Sequence, residues 1–379
     1  MPLLDRRYLR AFDWLGFLIV LMLSSIGLLF VFSATYQPAR PYSLFFKKQL
    51  FGTLTGLVIF LLFCAIDYRR LQRWGYFLYM ISLGVLIFTR IKGTMGLGAR
   101  RWINLGWFSF QPSELIKLFF PAFFTYYFMT HRQGAAGRSL YTMLAILAGS
   151  FLLIAKQPDL GTAIIVALTG LILLAFAGIG KKFFIGCCCF GLLGAPILWH
   201  CLKDYQKRRI MVFLGQGDQR KERYQIEQSY IAVGSGGLYG KGLLRGTQNI
   251  LQFLPESRTD FIFSVLCEEW GLLGALFIIV LYLLLFMRWL MVIDALPDPH
   301  AQFLALGLVL PIMNATLINM CMVLGLLPVV GIPLPFMSYG ITHTWITFAI
   351  LGWFHGIVMR RGTIRARSEN GVVLHHGNR

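Results

Sequence analysis

What most constrains this chain is a series of apolar segments that recur from residue 14 to residue 359. A helix needs about 20 largely apolar residues to cross the hydrocarbon core of a bilayer. About ten segments approach that length: 14–34, 50–66, 75–91, 115–130, 140–155, 161–179, 183–201, 261–287, 301–326 and 341–359. Composition agrees. The chain is 57% hydrophobic and 13% charged, where an ordinary soluble domain carries about 25% charged residues. The expected fold is all-α: a polytopic integral membrane protein of about ten transmembrane helices, forming one domain over 1–379. The first segment is long and no A-x-A-like site follows it, so it is expected to be a span rather than a cleaved signal.

Ten spans place both termini on one side. With the N-terminus inside, the inner connections hold Arg6, Arg7, Arg10, Arg69, Arg70, Arg73, Lys181, Lys182, Arg288 and the basic tail 360–379. The short outer connections hold fewer cations, which predicts cytoplasmic N- and C-termini in a cytoplasmic (inner) membrane. Residues 202–260 form a long extracytoplasmic loop with further basic residues, and long loops cross largely regardless of charge. The outer cations read either as solvated charge against anionic lipid headgroups or as a site for a phosphate or pyrophosphate. Nucleic acid is excluded as a partner, because the basic residues are dispersed and no nucleic-acid fold signature is present. The seven cysteines lie in or beside apolar segments without C-x-x-C spacing. They read as small buried hydrophobes, with no disulfide framework or zinc site.

Against this apolar background the polar positions stand out. The sequence Phe253-Leu-Pro-Glu-Ser-Arg-Thr-Asp260 leads into a long apolar stretch, so Asp260 sits where a water-facing loop becomes a span. Glu268 and Glu269 follow inside it. Ionisable residues at membrane depth are costly and mark candidate functional sites. Gln111-Pro-Ser-Glu114 opens another span, with Lys117 three residues on and on nearly the same face. That pair reads either as a capping carboxylate with a snorkelling lysine or as a polar cluster lining a cavity. In Lys156-Gln-Pro-Asp159, Asp159 is either a helix cap or, with Lys156, part of a phosphate or metal site. The loop 202–260 has a glycine-rich centre, Gly234–Gly242, containing Lys241, and is expected to fold back onto the membrane through short amphipathic helices. The last outer connection, 327–340, has three prolines and cannot be regular helix.

A carboxylate can act as general base toward an alcohol. Cations, or a divalent ion, can stabilise a pyrophosphate leaving group. This set suits glycosyl transfer from a lipid pyrophosphate, and a transporter of an anionic lipid would want the same groups. No Walker A, HExxH or GxSxG pattern is present.

The motifs resemble the SEDS family, its RodA branch more than its FtsW branch. The matching runs are Gln111-Pro-Ser-Glu-Leu-Ile-Lys117, Gln157-Pro-Asp-Leu-Gly-Thr162, Gln228-Ser, Ile231–Gly242, Gly246-Thr-Gln248, Phe253-Leu-Pro-Glu256, Thr259-Asp-Phe-Ile-Phe263, Glu268-Glu269 and Gly331–Gly340. They run in order across almost the whole chain. The resemblance implies a ten-helix peptidoglycan glycosyltransferase acting on lipid II, with a class B penicillin-binding transpeptidase as partner and membrane lipids around it. It implies a role in cell elongation and rod shape. It maps the essential aspartate onto Asp260, the functional glutamate onto Glu114 beside Lys117, and the outer-loop arginine onto Arg208 or Arg209. Candidate substrate-binding residues are therefore Glu114, Lys117, Lys156, Asp159, Arg208, Arg209 and Lys241. No organic cofactor is expected. A divalent cation (Mg or Mn) near Glu114 or Asp159 is the one inorganic candidate. Two departures stand out. Residues 215–223 replace the family's Asp-Pro repeats, and Ile341-Thr-His343 replaces its Gly-Ser-Ser. His343 is read either as a polar group substituting there or, the favoured reading, as a helix-terminal histidine with a backbone partner. A lipid II flippase and a non-catalytic membrane scaffold of a wall-synthesis complex are the competing functions. The first would need polar residues reaching the inner face, such as Asn314 and Asn319. The second would tolerate loss of Asp260.

Overall fold

The computed structural model describes residues 6–362, apart from 39, 97–98, 105, 132–135, 203, 217–221, 252 and 255. The chain opens with α1 (Arg6–Ala11), α2 (Trp14–Ala34), α3 (Leu44–Ala65) and α4 (Tyr68–Lys92). Three short strands follow, β1 (Thr94–Gly96), β2 (Ala99–Asn104) and β3 (Ser109–Phe110). Then come α5 (Pro112–His131), α6 (Ala136–Ala155), α7 (Leu160–Phe176) and α8 (Lys181–Cys201). The segment expected as a long loop carries α9 (Asp204–Phe213), α10 (Glu222–Ser235) and α11 (Thr247–Ile250). The chain closes with α12 (Ile262–Asp294), α13 (Pro299–Val323) and α14 (Ile341–Met359). Each apolar segment of the sequence coincides with a helix. Among the described residues, α2, α3, α4, α12, α13 and α14 are long and apolar enough to cross a membrane. The chain is a multi-pass helical membrane protein.

Local chemistry starts several of these helices. Ser43 accepts the Phe46 N–H at 3.1 Å, Asp67 accepts that of Arg69 at 2.9 Å, and Asp298 accepts that of His300 at 3.1 Å with Pro299 opening the helix. Each cap satisfies a donor that the first turn leaves without a partner. Burial sorts the helices into layers. The apolar stretches of α13 and α14 are 83% and 94% buried, those of α3 and α4 only 33% and 28%. Helices apolar all round form the interior. The outer ones expose Leu54, Val58 and Leu61 on α3 and Phe77, Ile81 and Phe88 on α4, faces suited to lipid.

The contact of α14 with α3 is built from small residues. Gly52 and Gly56 are spaced four apart on α3, as are Gly352 and Gly356 on α14. A Cβ at Gly56 would lie 2.6 Å from the Phe348 ring, and one at Gly352 would lie 2.4 Å from the Phe60 carbonyl oxygen. Such spacing lets helix backbones approach closely where no hydrophobic effect drives them together.

Two features depart from an unbroken helical bundle. The segment after α4 forms a three-stranded antiparallel sheet in the order β1-β2-β3, pairing Thr94 with Trp102 and Ile103 with Phe110. Its second turn closes where the Gly106 N–H donates to Asn104 Oδ1 at 2.9 Å. Helix α12 is broken at Gly271, whose backbone lies at φ 68° and ψ −164°. In an intact helix the carbonyls of Glu268 and Glu269 would accept the N–H groups of Leu272 and Leu273. Instead the glycine-rich segment serves both sides of the break. Lys241 N–H donates to the Glu268 carbonyl at 3.0 Å and Gly242 N–H to that of Glu269 at 2.9 Å. Leu272 N–H donates to the Gly237 carbonyl at 2.8 Å and Leu273 N–H to that of Leu238 at 3.2 Å. This exchange needs backbone against backbone. A Cβ at Gly236 would lie 2.0 Å from the Cys267 carbonyl oxygen, and one at Gly240 would lie 2.1 Å from that of Glu269. Irregular backbone of this kind is tolerated where protein buries it.

Cys187 and Cys189 are exposed on α8, against the expectation that the cysteines are buried, while Cys64 and Cys267 are buried. The side chains of Cys188 and Cys201 lie outside the described residues. So do most of the basic tail, from 363 on, and residues 217–221 of the divergent stretch.

Candidate active site

Asp260 lies in the turn that runs into α12 and is half-buried. Its backbone is held by the last third of the chain. Asn319, on α13 and fully buried, donates from Nδ2 to the Asp260 carbonyl at 2.9 Å and to the Ile332 carbonyl at 2.7 Å. Ser338 donates to the Thr259 carbonyl at 2.5 Å and accepts the Leu334 N–H at 2.8 Å. Tyr339 N–H donates to the Arg258 carbonyl at 2.8 Å. The proline-rich connection, which cannot pair its own backbone as helix, thus forms a clamp around the aspartate turn. A Cβ at Gly331 in that connection would lie 3.4 Å from Asp260 Oδ2. Arg258 lies over the Phe45 ring, 4.0 Å from its centroid. Burial raises the Tyr339 phenol above its ordinary range, and the neighbouring Arg258 pulls it the other way.

Gln49 ties this clamp to α14. It donates to the Ser338 carbonyl at 3.2 Å and to Thr344 Oγ1 at 3.1 Å, and accepts the Gly340 N–H at 2.9 Å. From the first turn of α14, His343 meets the start of α5. Its Nδ1 lies 3.2 Å from Glu114 Oε2 and 3.5 Å from Lys117 Nζ, and Lys117 donates to Glu114 Oε1 at 2.6 Å. All three side chains are buried. The partner of His343 is thus a carboxylate on another helix rather than backbone. The expectation of a simple helix-end cap failed because sequence distance hides the approach of α14 to α5.

The other candidates are placed separately. Asp159 is buried and caps α7, accepting from Thr162 N–H at 3.3 Å, Gln111 Nε2 at 2.8 Å and Ser113 Oγ at 2.6 Å. Lys156 is exposed nearby. Lys241 donates to Glu268 Oε1 at 2.6 Å and to Thr247 Oγ1 at 2.8 Å. Glu268 Oε1 also accepts the Gln248 N–H at 3.1 Å. Glu269 accepts a hydrogen bond from Ser33 of α2. On α9, Arg208 is exposed and Arg209 half-buried. Gln49, Asn319 and Ser338 are the working residues that motif reading left without a role. Asn319 alone carried a signal, as a buried amide inside a span.

The two carboxylates considered for a divalent cation do not fit one. Glu114 is already neutralised by Lys117, and the Asp159 oxygens are taken up by donors from its own helix and from the start of α5. Among the described residues no group of three or more His, Cys, Asp or Glu side chains is gathered into a ready-made protein cage for a metal.

Fold and site together define a polytopic membrane protein with a carboxylate held at the mouth of a span, beside a buried ionic cluster. The "Cell cycle protein" family of FtsW, RodA and SpoVE matches residues 13–361, and the chain belongs to it. It is 38% identical over 325 residues to the peptidoglycan glycosyltransferase MrdB of Escherichia coli (strain K12), covering 85% of this chain and 87% of that one. It is 36% identical over 338 residues to the stage V sporulation protein E of Bacillus subtilis (strain 168), covering 86% and 92%. Among solved structures it is similar to the rod shape determining protein RodA of Thermus thermophilus, with a TM-score of 0.69 and 26% identity over 92% of this chain and 97% of that one. A chain from a peptidoglycan synthase complex, described by its structural coordination of polymerization and crosslinking, matches with a TM-score of 0.77 and 25% identity over 93% and 98%.

Proposed function

We infer that this protein is a peptidoglycan glycosyltransferase that polymerises lipid II on the outer face of the cytoplasmic membrane. On this reading the chain has ten spans with both termini cytoplasmic, an arrangement in which Asp260, Glu114 and the α9 arginines share that face. The observation that carries the reading is the backbone clamp on the Asp260 turn at the start of α12. Asp260 is half-buried, with its backbone anchored on two sides.

In this reading the hydroxyl of an acceptor sugar attacks the anomeric carbon of the lipid-linked donor. Asp260 takes the hydroxyl proton as the new C–O bond forms. The bond from the anomeric carbon to the lipid diphosphate breaks, and the diphosphate leaves with the bonding pair. Arg208 and Arg209 supply guanidinium forks for its oxygens and Lys156 adds charge, while Lys117 stays paired with Glu114. Asp159 and Lys241 serve the site through the elements they brace. No step is assigned to a divalent cation. The similarity to a synthase complex supports a class B penicillin-binding transpeptidase as partner, and the relatedness to RodA supports a role in elongation.

The transporter reading is weakened by the interior amides. Asn314 donates to Thr169 Oγ1 at 3.4 Å and Asn319 is taken up by the Asp260 turn. The test is to incubate the purified protein and its transpeptidase with lipid II in liposomes, scoring both glycan chains and transbilayer movement. Glycan chains without accelerated movement are expected. Movement without polymer would return the protein to the transporter class.

A further inference from the structure

Ile341-Thr-His343 opens α14, and the fold gives its histidine a charged partner on another helix. His343 meets Glu114 and Lys117 at 3.2 and 3.5 Å, and the three side chains are 9%, 6% and 5% exposed. Nδ1 cannot donate to Glu114 and accept from Lys117 at once. A bare Nδ1 lone pair would face the acceptor-only Glu114 Oε2 at 3.2 Å, so the consistent tautomer carries the proton on Nδ1 and donates it to Glu114 Oε2. The two oxygens of one carboxylate are then pinned from different helices: Oε1 by the flexible stem of Lys117 on α5, Oε2 by the stiff ring of His343 on α14.

The remaining ring nitrogen is informative too. His343 Nε2 is buried and has no hydrogen-bond partner in the protein. The ring borders a small cavity shared with Lys117, Pro335 of the clamp and Thr347. The same turn of α14 is bonded to the clamp through Gln49, so the orientation of His343 is set by the element that holds the Asp260 turn.

We propose that His343 is a positioning residue for glycosyl transfer: through Nδ1 it fixes the Glu114 carboxylate, and with it Lys117, in register with the Asp260 clamp. The inference rests on the reading that Glu114 serves the transfer reaction. Asparagine places a polar group near the position of Nδ1, glutamine near that of Nε2, and leucine places none. Small displacements in a reacting constellation cost as much as about 100-fold in rate.

The test compares lipid II polymerisation by His343→Asn, His343→Gln, His343→Leu and Glu114→Gln proteins, with thermal unfolding of each in detergent. The Asn variant is expected within about threefold of wild type, and the Gln and Leu variants about tenfold or more lower in kcat with little change in KM, as for loss of an interaction used in the transition state. If the Leu variant fails to fold, the comparison of Asn with Gln decides. Equal rates for the folded Asn and Gln variants overturn the proposal. Glu114→Gln separates the two layers. If it is inactive while all His343 variants work normally, Glu114 keeps its role and His343 loses this one. If Glu114→Gln polymerises normally, both fail.

Discussion

Asp260 sits in a turn held through its peptide groups at the start of α12. Ser338 donates to the Thr259 carbonyl of that turn and accepts the Leu334 N–H of its own connection. Ser338→Ala should lower stability by about 1–3 kcal/mol, the range for stranding buried hydrogen-bonding groups, and should slow polymerisation as the turn loosens. Thermal unfolding and a rate assay on the same preparation check both. Glu114→Gln should leave a folded, inserted protein with severely reduced turnover, because a neutral amide cannot hold Lys117 as a carboxylate does. Breaking a buried ion pair costs about 3–5 kcal/mol, so a thermal shift should accompany the loss. Normal turnover with a thermal shift alone would make the pair purely structural. At this scale the sequence revealed the charged members, since a lone Asp or Glu in an apolar run is conspicuous. The uncharged braces were hidden. Gln49 and Ser338 lie 289 residues apart yet share a hydrogen bond, and nothing local in either segment announces that.

The elements were legible where hydrophobicity and capping agree. Each apolar stretch became a helix, and Ser43, Asp67, Asp159 and Asp298 start theirs as small polar caps do. The small sheet after α4 was missed because its strands are short and sit among glycines and arginines, where a period of two is hard to see. The break in α12 was missed for a different reason. Gly271 lies in an apolar run that reads as continuous helix, and only the glycine-rich segment folded against it makes the break affordable. Gly240→Ala tests that docking. A methyl group there meets the Glu269 carbonyl at 2.1 Å, and the backbone lies at φ +78°. The expected result is a destabilisation of about 1–2 kcal/mol or more from the left-handed backbone alone, read as a lower unfolding temperature and faster proteolysis within 236–246. An unchanged protein would mean that the segment is not docked on the break.

Over the whole molecule, burial runs from lipid-facing α3 and α4 to interior α13 and α14, and the Asp260 clamp is made by those interior helices and the connection between them. In the proposed function the α9 arginines join this centre. Arg208→Glu with Arg209→Glu should raise the lipid II concentration needed for half-maximal rate, since guanidinium forks that pair with phosphate oxygens become repulsive carboxylates. A rate curve that overlays wild type would remove α9 from the substrate site. The overall class, a multi-pass helical membrane protein, followed from apolar length and low charge, because a bilayer admits few other solutions. The assembly of the site did not, because it depends on residues brought together from α3, α5, α12, α13 and α14.

The most direct test of the central claim is the rate of glycan chain formation from purified lipid II by wild-type and Asp260→Asn proteins, each with its transpeptidase. Asparagine keeps the size of the side chain and leaves the backbone bonds of the turn in place, but it cannot accept the hydroxyl proton. The account predicts a folded, partner-binding Asp260→Asn protein that makes no polymer. Polymerisation at a rate near wild type would contradict it.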